Sequence, residues 1–586
     1  MSLSFLATSI TSTTSNNPLW RKKTNPLFNV SKRRLNISCE QRQDDLHVID
    51  RRNVLLGLGG LYGATSTIGN KGMLAIGAPV QPPDLSKCHP ATDDETKQPV
   101  NCCPPYSTAS VVDFVPPSHS EGIRVRKPAH ELNTEDVEKF KEAIAKMKAL
   151  PDDDPWSFNQ QATIHCTYCN GAFDQAGIEP PVLLQIHGSW LFLPWHRCYL
   201  YFWEKILGKL IGDPTFAIPF WNWDAPEGMH MPKIYLGNSS PLYNDNRDKN
   251  HYESVFDYKY AYNDPNPTSP SQVDKVIREN LCQVDRMYKE TIRNPELFMG
   301  KALRAGQSVP TNASGSLENL HNSVHQWSGP PESPYYDMGN FHTAARDPLF
   351  FGHHANIDRM WDLYNNFRGH RPEFKDPDWL EASFIFYDEN RQVVKVKVKD
   401  CLTSHQLRYA YSPEKLPWMN SGLKCRKEKA SKKKGEKKSL QLVSVSEFGT
   451  EPRTLTETIR VIVPRPQVSR KKGEKEEASE VLVIREIDAP HGTAARFDVY
   501  VSKPIEGLVS EDRGEFAGSF VKIPHTQHKT NSHRHKSSLE LGITILLEDI
   551  EAEDSKKLVV TLVPRMGKVI IGGVDVDLFK VDDYED

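Results

Sequence analysis

The sequence carries no acidic residue before Glu40. The stretch ahead of it is rich in Ser and Thr and holds Arg21, Lys22, Lys23, Lys32, Arg33 and Arg34, the composition of an organelle transit peptide rather than of a foldable core. No apolar run approaches the ~20 residues that a membrane span needs, so no transmembrane segment is expected. Charge is nearly balanced, with 73 basic against 76 acidic residues and a net charge of -3. No field of one sign calls for nucleic acid or an anionic membrane as partner. Ten cysteines in 586 residues are too few for a disulfide scaffold. What remains is a soluble globular composition, 38% hydrophobic and 25% charged, on a chain long enough for several structural units.

A second export signal follows the first. Arg51-Arg52 precedes the apolar, glycine-rich run from Val54 through Leu58, and small residues near Ala75-Ile76-Gly77 make a cleavage site. Two signals in series imply two membranes crossed in order, as for a plastid and then its thylakoid lumen. This assigns 1–77 to a bipartite transit peptide, with the twin-arginine export machinery as an expected partner.

The segment 78–130 is rich in proline and in cysteine (Cys88, Cys102, Cys103) and reads as a loop-rich wrap. Helical spacing appears at 135–150, with Asn133 or Thr134 as N-cap, and a helix is expected to begin near Pro194, where a missing N–H does no harm. Further helices are expected at 273–288, 317–327 and 349–367. From Lys424 to Lys438 the chain is dominated by Lys and Arg, a solvated linker open to proteases. Beyond it, runs rich in β-branched residues at 458–463, 481–487, 497–501, 541–547 and 558–563 predict strands of a small antiparallel β-sandwich. The charged stretch 470–477 reads as an exposed loop between two of them. The organisation is therefore a mainly α domain over 78–424, a Lys-rich linker over 425–452, and a β domain over 453–586.

Chemistry concentrates in histidines. His165 opens the run His165-Cys166-Thr167-Tyr168-Cys169; His187 and His196 follow, nine positions apart. On one continuous helix those two rings would face opposite ways, so His187 must sit on a loop or before a break. His321 and His325, at i and i+4, share a helix face and suit one metal ion. Of the adjacent His353 and His354 only one should face that metal, and Asp358, a turn beyond, is placed to support it. Six imidazoles favour copper or zinc. Zinc hydrolases usually add a catalytic carboxylate, and no H-E-x-x-H occurs. Two all-histidine sites point to copper handling dioxygen. The later run His525, His528, His533 and His535 reads as a hydrophilic loop.

With these motifs the sequence resembles the plant polyphenol oxidases, the catechol oxidase/tyrosinase group with type 3 copper centres, from the transit region to the C-terminus. The resemblance implies a four-helix bundle holding two copper ions, one on His165, His187 and His196, the other on His321, His325 and His354. It implies a thioether between Cys169 and His187, disulfides Cys88–Cys103 and Cys102–Cys166, and Phe341 as the bulky residue restricting access. Residues 78–424 would be the catalytic domain, closed by the Tyr409-x-Tyr411 motif, the activation cleavage site would lie in the linker 425–452, and the β domain, around 515–520, would shield the site until that cut. The implied activity converts o-diphenols to o-quinones while reducing dioxygen to water. The family commonly has a glutamate four positions before the first copper-B histidine, which helps orient a water that deprotonates monophenols; Glu318 stands three before His321. Asn322 is of the type found in hydroxylating members. Alternatives on the same histidine plan are a biosynthetic oxidase acting on one phenolic metabolite and a dioxygen carrier; a zinc-bound structural protein is a third.

Overall fold

The computed structural model describes residues 77–581 apart from 93–97, 105–109, 263, 310–313, 372, 420–424, 426–441, 491, 505–507, 511–513 and 525–535. The transit and export signals, most of the Lys-rich linker and the late histidine run thus lie outside the described residues.

The helical half is built on α1 (Thr134–Lys148), α2 (Phe158–Cys169), α3 (Phe192–Ile211), α4 (Pro270–Thr291), α5 (Ser316–Ser328) and α6 (Leu349–Phe367). Local chemistry sets their ends. Asn133 and Ser157 accept from the N–H groups of Asp136 and Gln160 as N-caps of α1 and α2, and Ser269 forms a capping box with Gln272 at the start of α4, satisfying donors that a helix leaves orphaned. Pro194 falls in the first turn of α3, where its lack of an N–H costs no hydrogen bond. Gly212 (φ 70°) ends that helix in the left-handed conformation. Helix α3 packs on α1 and α6, and α6 on α5.

A buried ion network ties these helices to the chain ends of the domain. Strand β1 (Arg124–Arg126) pairs in parallel with a strand at Tyr409–Tyr411. Arg126 and Arg124 bind Glu204 of α3 at 2.8 Å each, and Arg197 of α3 binds Asp358 of α6 at 2.5 Å. Tyr409 and Tyr411 both donate to Asp358. Burial pushes the Asp358 carboxyl up, but Arg197 and Arg126 hold it below its usual range. Asp358 therefore clasps helix to strand. Its hydrogen bonds go to these four side chains and not to a histidine ring, which corrects the expectation that it supports His354.

The C-terminal half is strand-rich. Strands β5 (Ile459–Pro464), β7 (Ala495–Ser502), β8 (Glu515–Lys522) and β10 (Lys557–Met566) form one antiparallel sheet in the order β5-β10-β7-β8, with the strands Ser383–Tyr387, Val393–Lys397 and Tyr409–Tyr411 of the helical half numbered β2 to β4. Strands β9 (Ser537–Gly542), β6 (Ala478–Ile487) and β11 (Gly573–Lys580) form a second, in the order β9-β6-β11. Val461, Phe497, Val499, Val560 and Leu562 of the first sheet meet Leu482, Ile484 and Leu539 of the second in one apolar core.

Two expectations are corrected. The stretch 541–547 is not one strand: β9 stops at Gly542 and helix α8 (Thr544–Asp549) follows, with Leu546 and Leu547 buried. A short apolar run has no period that separates strand from buried helix, and here the Glu290 carboxylate accepts from the N–H groups of Ile545 and Leu546, which stabilises a helix start. The stretch 470–477 contains a short helix, α7 (Lys472–Glu477), exposed as expected but not a loop.

Candidate metal centre

Three elements carry the first histidine group. Helix α2 presents His165, whose Nδ1–H donates to the Phe341 carbonyl at 2.9 Å. His196, in the first turns of α3, donates from Nδ1 to the Phe192 carbonyl one turn back at 2.7 Å. His187 lies on the loop between α2 and α3. That loop turns at Gly188 (φ +68°), where a Cβ would come within 2.9 Å of Val309, so glycine is required on both counts. Ligand atoms of His165, Cys169 and His187 lie within 4.8 Å of one another, all buried. The His196 ring centroid is 5.6 Å from that of His165 and 5.2 Å from that of His187.

The second group comes from α5 and α6. His321 donates from Nδ1 to the Asn322 side-chain oxygen at 3.0 Å, and His325 from Nδ1 to the Met338 carbonyl at 2.7 Å. Their Nε2 atoms stand 3.1 and 3.2 Å from Nε2 of His354. His353 belongs to the same cluster within 4.8 Å, but its Nδ1 accepts from the Trp223 indole at 3.2 Å and its ring stacks on His321 at 5.0 Å. Both adjacent histidines thus lie in the cluster; they differ in that His353 Nδ1 accepts from Trp223 whereas His354 Nε2 faces His321 and His325. The two groups abut, since the His196 and His354 rings stack at 4.4 Å.

This arrangement calls for a cation. With Nδ1 of His321 and His325 donating, each Nε2 offers a lone pair. One proton on His354 Nε2 cannot satisfy both. The Nε2 atoms of His165 and His196 are likewise buried with no hydrogen-bond partner, a costly arrangement unless a metal takes them. Two nitrogens ~3 Å from a third fit a common ion about 2 Å from each, the length of an imidazole–metal bond. Burial pushes His196 down to about 3 and His325 to about 4, and holds His165, His321, His353 and His354 well below the ordinary value. Neutral imidazole is the form that binds metal.

Around the cluster, Phe341 is 9% exposed and its ring lies 4.4 Å from that of His187. Phe192 and Phe350 wall the other sides, at 4.9 Å from His321 and 4.0 Å from His354. Glu318, on α5, accepts the Gly188 N–H with both carboxylate oxygens, at 2.8 and 3.1 Å. Burial pushes its carboxyl up to about 8, against the pull of that N–H. The structure contains the disulfides Cys88–Cys103 and Cys102–Cys166. A third, Cys282–Cys425, escaped sequence reading; 143 positions separate its partners, and no local pattern links them. The C-terminal half reaches the site: the Pro524 carbonyl accepts from the Phe341 N–H at 3.2 Å, and the Val521 carbonyl from the Asn322 side chain at 3.1 Å. Reading the helices alone missed these contacts.

Residues 155–367 match the common central domain of tyrosinase, 373–424 the polyphenol oxidase middle domain, and 451–578 the chloroplastic polyphenol oxidase C-terminal domain. The chain is 47% identical over 549 residues to a chloroplastic polyphenol oxidase of Vitis vinifera, covering 92% of this chain and 89% of that one. Among solved structures it is similar to latent apple tyrosinase (TM-score 0.71, 43% identity, 80% of this chain and all of that one). It is also similar to a latent aurone synthase (TM-score 0.77, 38% identity, 86% of this chain and all of that one).

Proposed function

Because the chain belongs to the plant polyphenol oxidase family, we propose that His165, His187 and His196 hold one copper ion and His321, His325 and His354 a second. The protein is a plastid copper enzyme that converts o-diphenols to o-quinones and reduces dioxygen to water, two diphenols per dioxygen. The observation that carries the ligand assignment is the approach of the His321 and His325 Nε2 atoms to that of His354, at 3.1 and 3.2 Å. When bound, the copper pair supplies the electron transfer between diphenol and dioxygen.

The protein's own residues do the rest. Carbonyls of Phe341, Phe192 and Met338 and the Asn322 amide fix the tautomers of four ligands, aiming Nε2 inward. A Cys169–His187 thioether would hold the one ligand that no helix carries. Phe341, Phe192 and Phe350 exclude water and leave an apolar seat for a phenol ring. Phe341 over His187 narrows the approach. Glu318 spends its carboxylate on the Gly188 N–H and so positions the His187 loop rather than a water for monophenol deprotonation; this favours diphenol oxidation over monophenol hydroxylation.

Helices α2, α3, α5 and α6 are read as a four-helix bundle and the two C-terminal sheets as a β-sandwich. In the uncleaved chain the segment 521–524 covers the site. Ile523, 2% exposed, packs in the same apolar cluster as the catalytic helices. Proteolysis within 425–452 would release it. The twin-arginine layout supports delivery of the mature chain, from about 78, to the thylakoid lumen. The similarity to aurone synthase favours a second reading, in which the physiological substrate is one specialised phenolic rather than simple catechols.

The test is a copper count and oxygen uptake on the activated protein, with simple catechols, monophenols and larger phenolics side by side. Two coppers per chain and turnover of catechol are expected. Fewer than two coppers, with no turnover of any diphenol, rejects the assignment; turnover confined to a larger phenolic selects the second reading.

A further inference from the structure

His165, His196 and His325 each turn Nδ1 to a backbone carbonyl, of Phe341, Phe192 and Met338. A carbonyl can only accept, so each of these rings carries its proton on Nδ1 and keeps a lone pair on Nε2. His321 differs. Its Nδ1 faces the side-chain amide of Asn322 at 3.0 Å, and an amide offers an acceptor at one end and donors at the other. Turned one way, Asn322 fixes the His321 proton on Nδ1. Turned the other way it donates to Nδ1 and moves that proton to Nε2, which closes the lone pair a metal needs. The second arrangement is self-consistent without metal, because Nε2–H of His321 would then donate to Nε2 of His354, 3.1 Å away.

The choice is made from the C-terminal half. Strand β8 packs on α5, and the Asn322 amide nitrogen donates to the carbonyl of Val521 in β8 at 3.1 Å. Both residues are buried. Turning the amide over would set its oxygen against that carbonyl, two acceptors facing each other in a dry interior, and would lose the N–H···O bond. A neighbouring link runs from the Phe341 N–H to the Pro524 carbonyl at 3.2 Å and, through the Phe341 carbonyl, to His165. That carbonyl accepts however it is held. Dependence on the C-terminal half therefore falls on the second histidine group.

We propose that the Val521 carbonyl selects the metal-binding tautomer of His321 by way of Asn322, so that the C-terminal half readies the second histidine group for copper before any metal arrives. This deepens the ligand assignment above and rests on it. Asn322 and Val521 act as positioning groups: the carbonyl orients the amide, and the amide orients the imidazole.

The test uses the copper-free mature full chain with isotope-labelled histidine rings. Nuclear magnetic resonance reads the His321 tautomer, and competition with a chromophoric chelator reads copper(I) affinity. The parent should carry the His321 proton on Nδ1 and bind two ions. Ile523→Asp puts a charge into the apolar cluster that holds Ile523 and should free the segment, seen as faster exchange of the Phe341 amide. His321 should then populate both tautomers, and one ion should bind about 10–100-fold more weakly while the other is unchanged. Adding Asn322→Asp, whose carboxylate only accepts, should return the proton to Nδ1 and recover most of that loss, a rescue that general loss of folding would not permit. A parent with its His321 proton on Nε2 overturns the inference. So does Ile523→Asp with tautomer and affinities unchanged, or a loss that Asn322→Asp fails to recover. Fewer than two ions bound by the parent rejects the ligand assignment itself, whereas two ions with the wrong tautomer rejects this inference alone.

Discussion

The backbone N–H of Phe341 donates to the carbonyl of Pro524 at 3.2 Å, so the aromatic rim of the histidine cluster is hydrogen-bonded to the C-terminal half of the chain. Ile523, the residue before that carbonyl, is buried with the catalytic core. Large-to-small changes at such a site cost about 2–5 kcal/mol, and part of that loss falls on docking. Ile523→Ala should therefore raise diphenol turnover of the uncleaved chain by roughly tenfold. A rate unchanged from the parent, in a variant shown to be folded, would mean that 521–524 does not bar the substrate.

His325→Ala removes one of the Nε2 groups facing His354. Copper content should drop from two per chain towards one, and catechol turnover should fall to background. Normal metal content with full turnover would exclude His325 as a ligand.

Glu318 meets the first histidine group through the Gly188 N–H. Removing a partner that orients a metal ligand typically costs 10–100-fold. Glu318→Ala is expected to lower catechol turnover by about that factor without changing the ratio of monophenol to diphenol rates. A selective loss of monophenol activity would instead make Glu318 a proton acceptor for substrate.

Glu290 links the two halves at the start of α8, and burial pushes its carboxyl up to about 7 against the pull of the Leu546 N–H and Arg286. Its ordinary value is 4.5. With the folded-state pKa raised, its stabilising contribution is fully present below pH ~4.5 and is lost as pH rises through about 7. The uncleaved chain should lose up to about 3 kcal/mol across that window, and Glu290→Gln should flatten the loss. Denaturant midpoints across the same pH range check this; parallel curves for the two proteins would refute it.

Cys425 lies one residue into the basic run, held to Cys282 of α4. A cut on the N-terminal side of Cys425 should leave the C-terminal domain covalently attached, whereas a cut beyond Arg426 frees it. Protease sites engineered on either side, compared by electrophoresis with and without reductant, give the measure. The upstream cut should migrate as one species and stay latent until reduced. Separation without reductant would show that the disulfide does not bridge the cut.

Much of the site was legible from local pattern. The helix at Leu349–Phe367 and the shared face of His321 and His325 follow from periodicity, and the need for His187 to sit off a helix follows from its distance to His196. Helix α2, which carries His165, was not legible. Its residues from Gln161 on are nearly all buried, so no polar face marks a period. The run 541–547 misled for a related reason: Leu546 and Leu547 are buried in a helix whose start is set by Glu290, a residue far away in sequence.

Short-range physics, acting through side-chain spacing, capping groups and composition, thus determined from the sequence alone where most of the helices and the strand-rich half lie, and which imidazoles are available. Long-range packing decided what those groups meet. It placed Asp358 against two arginines and two tyrosines rather than a histidine, turned Glu318 to Gly188, paired Cys282 with Cys425, and laid 521–524 across Phe341. Each of these partnerships joins residues that only a folded chain brings together, because its energy depends on burial and distance, and neither is written in the order of the residues.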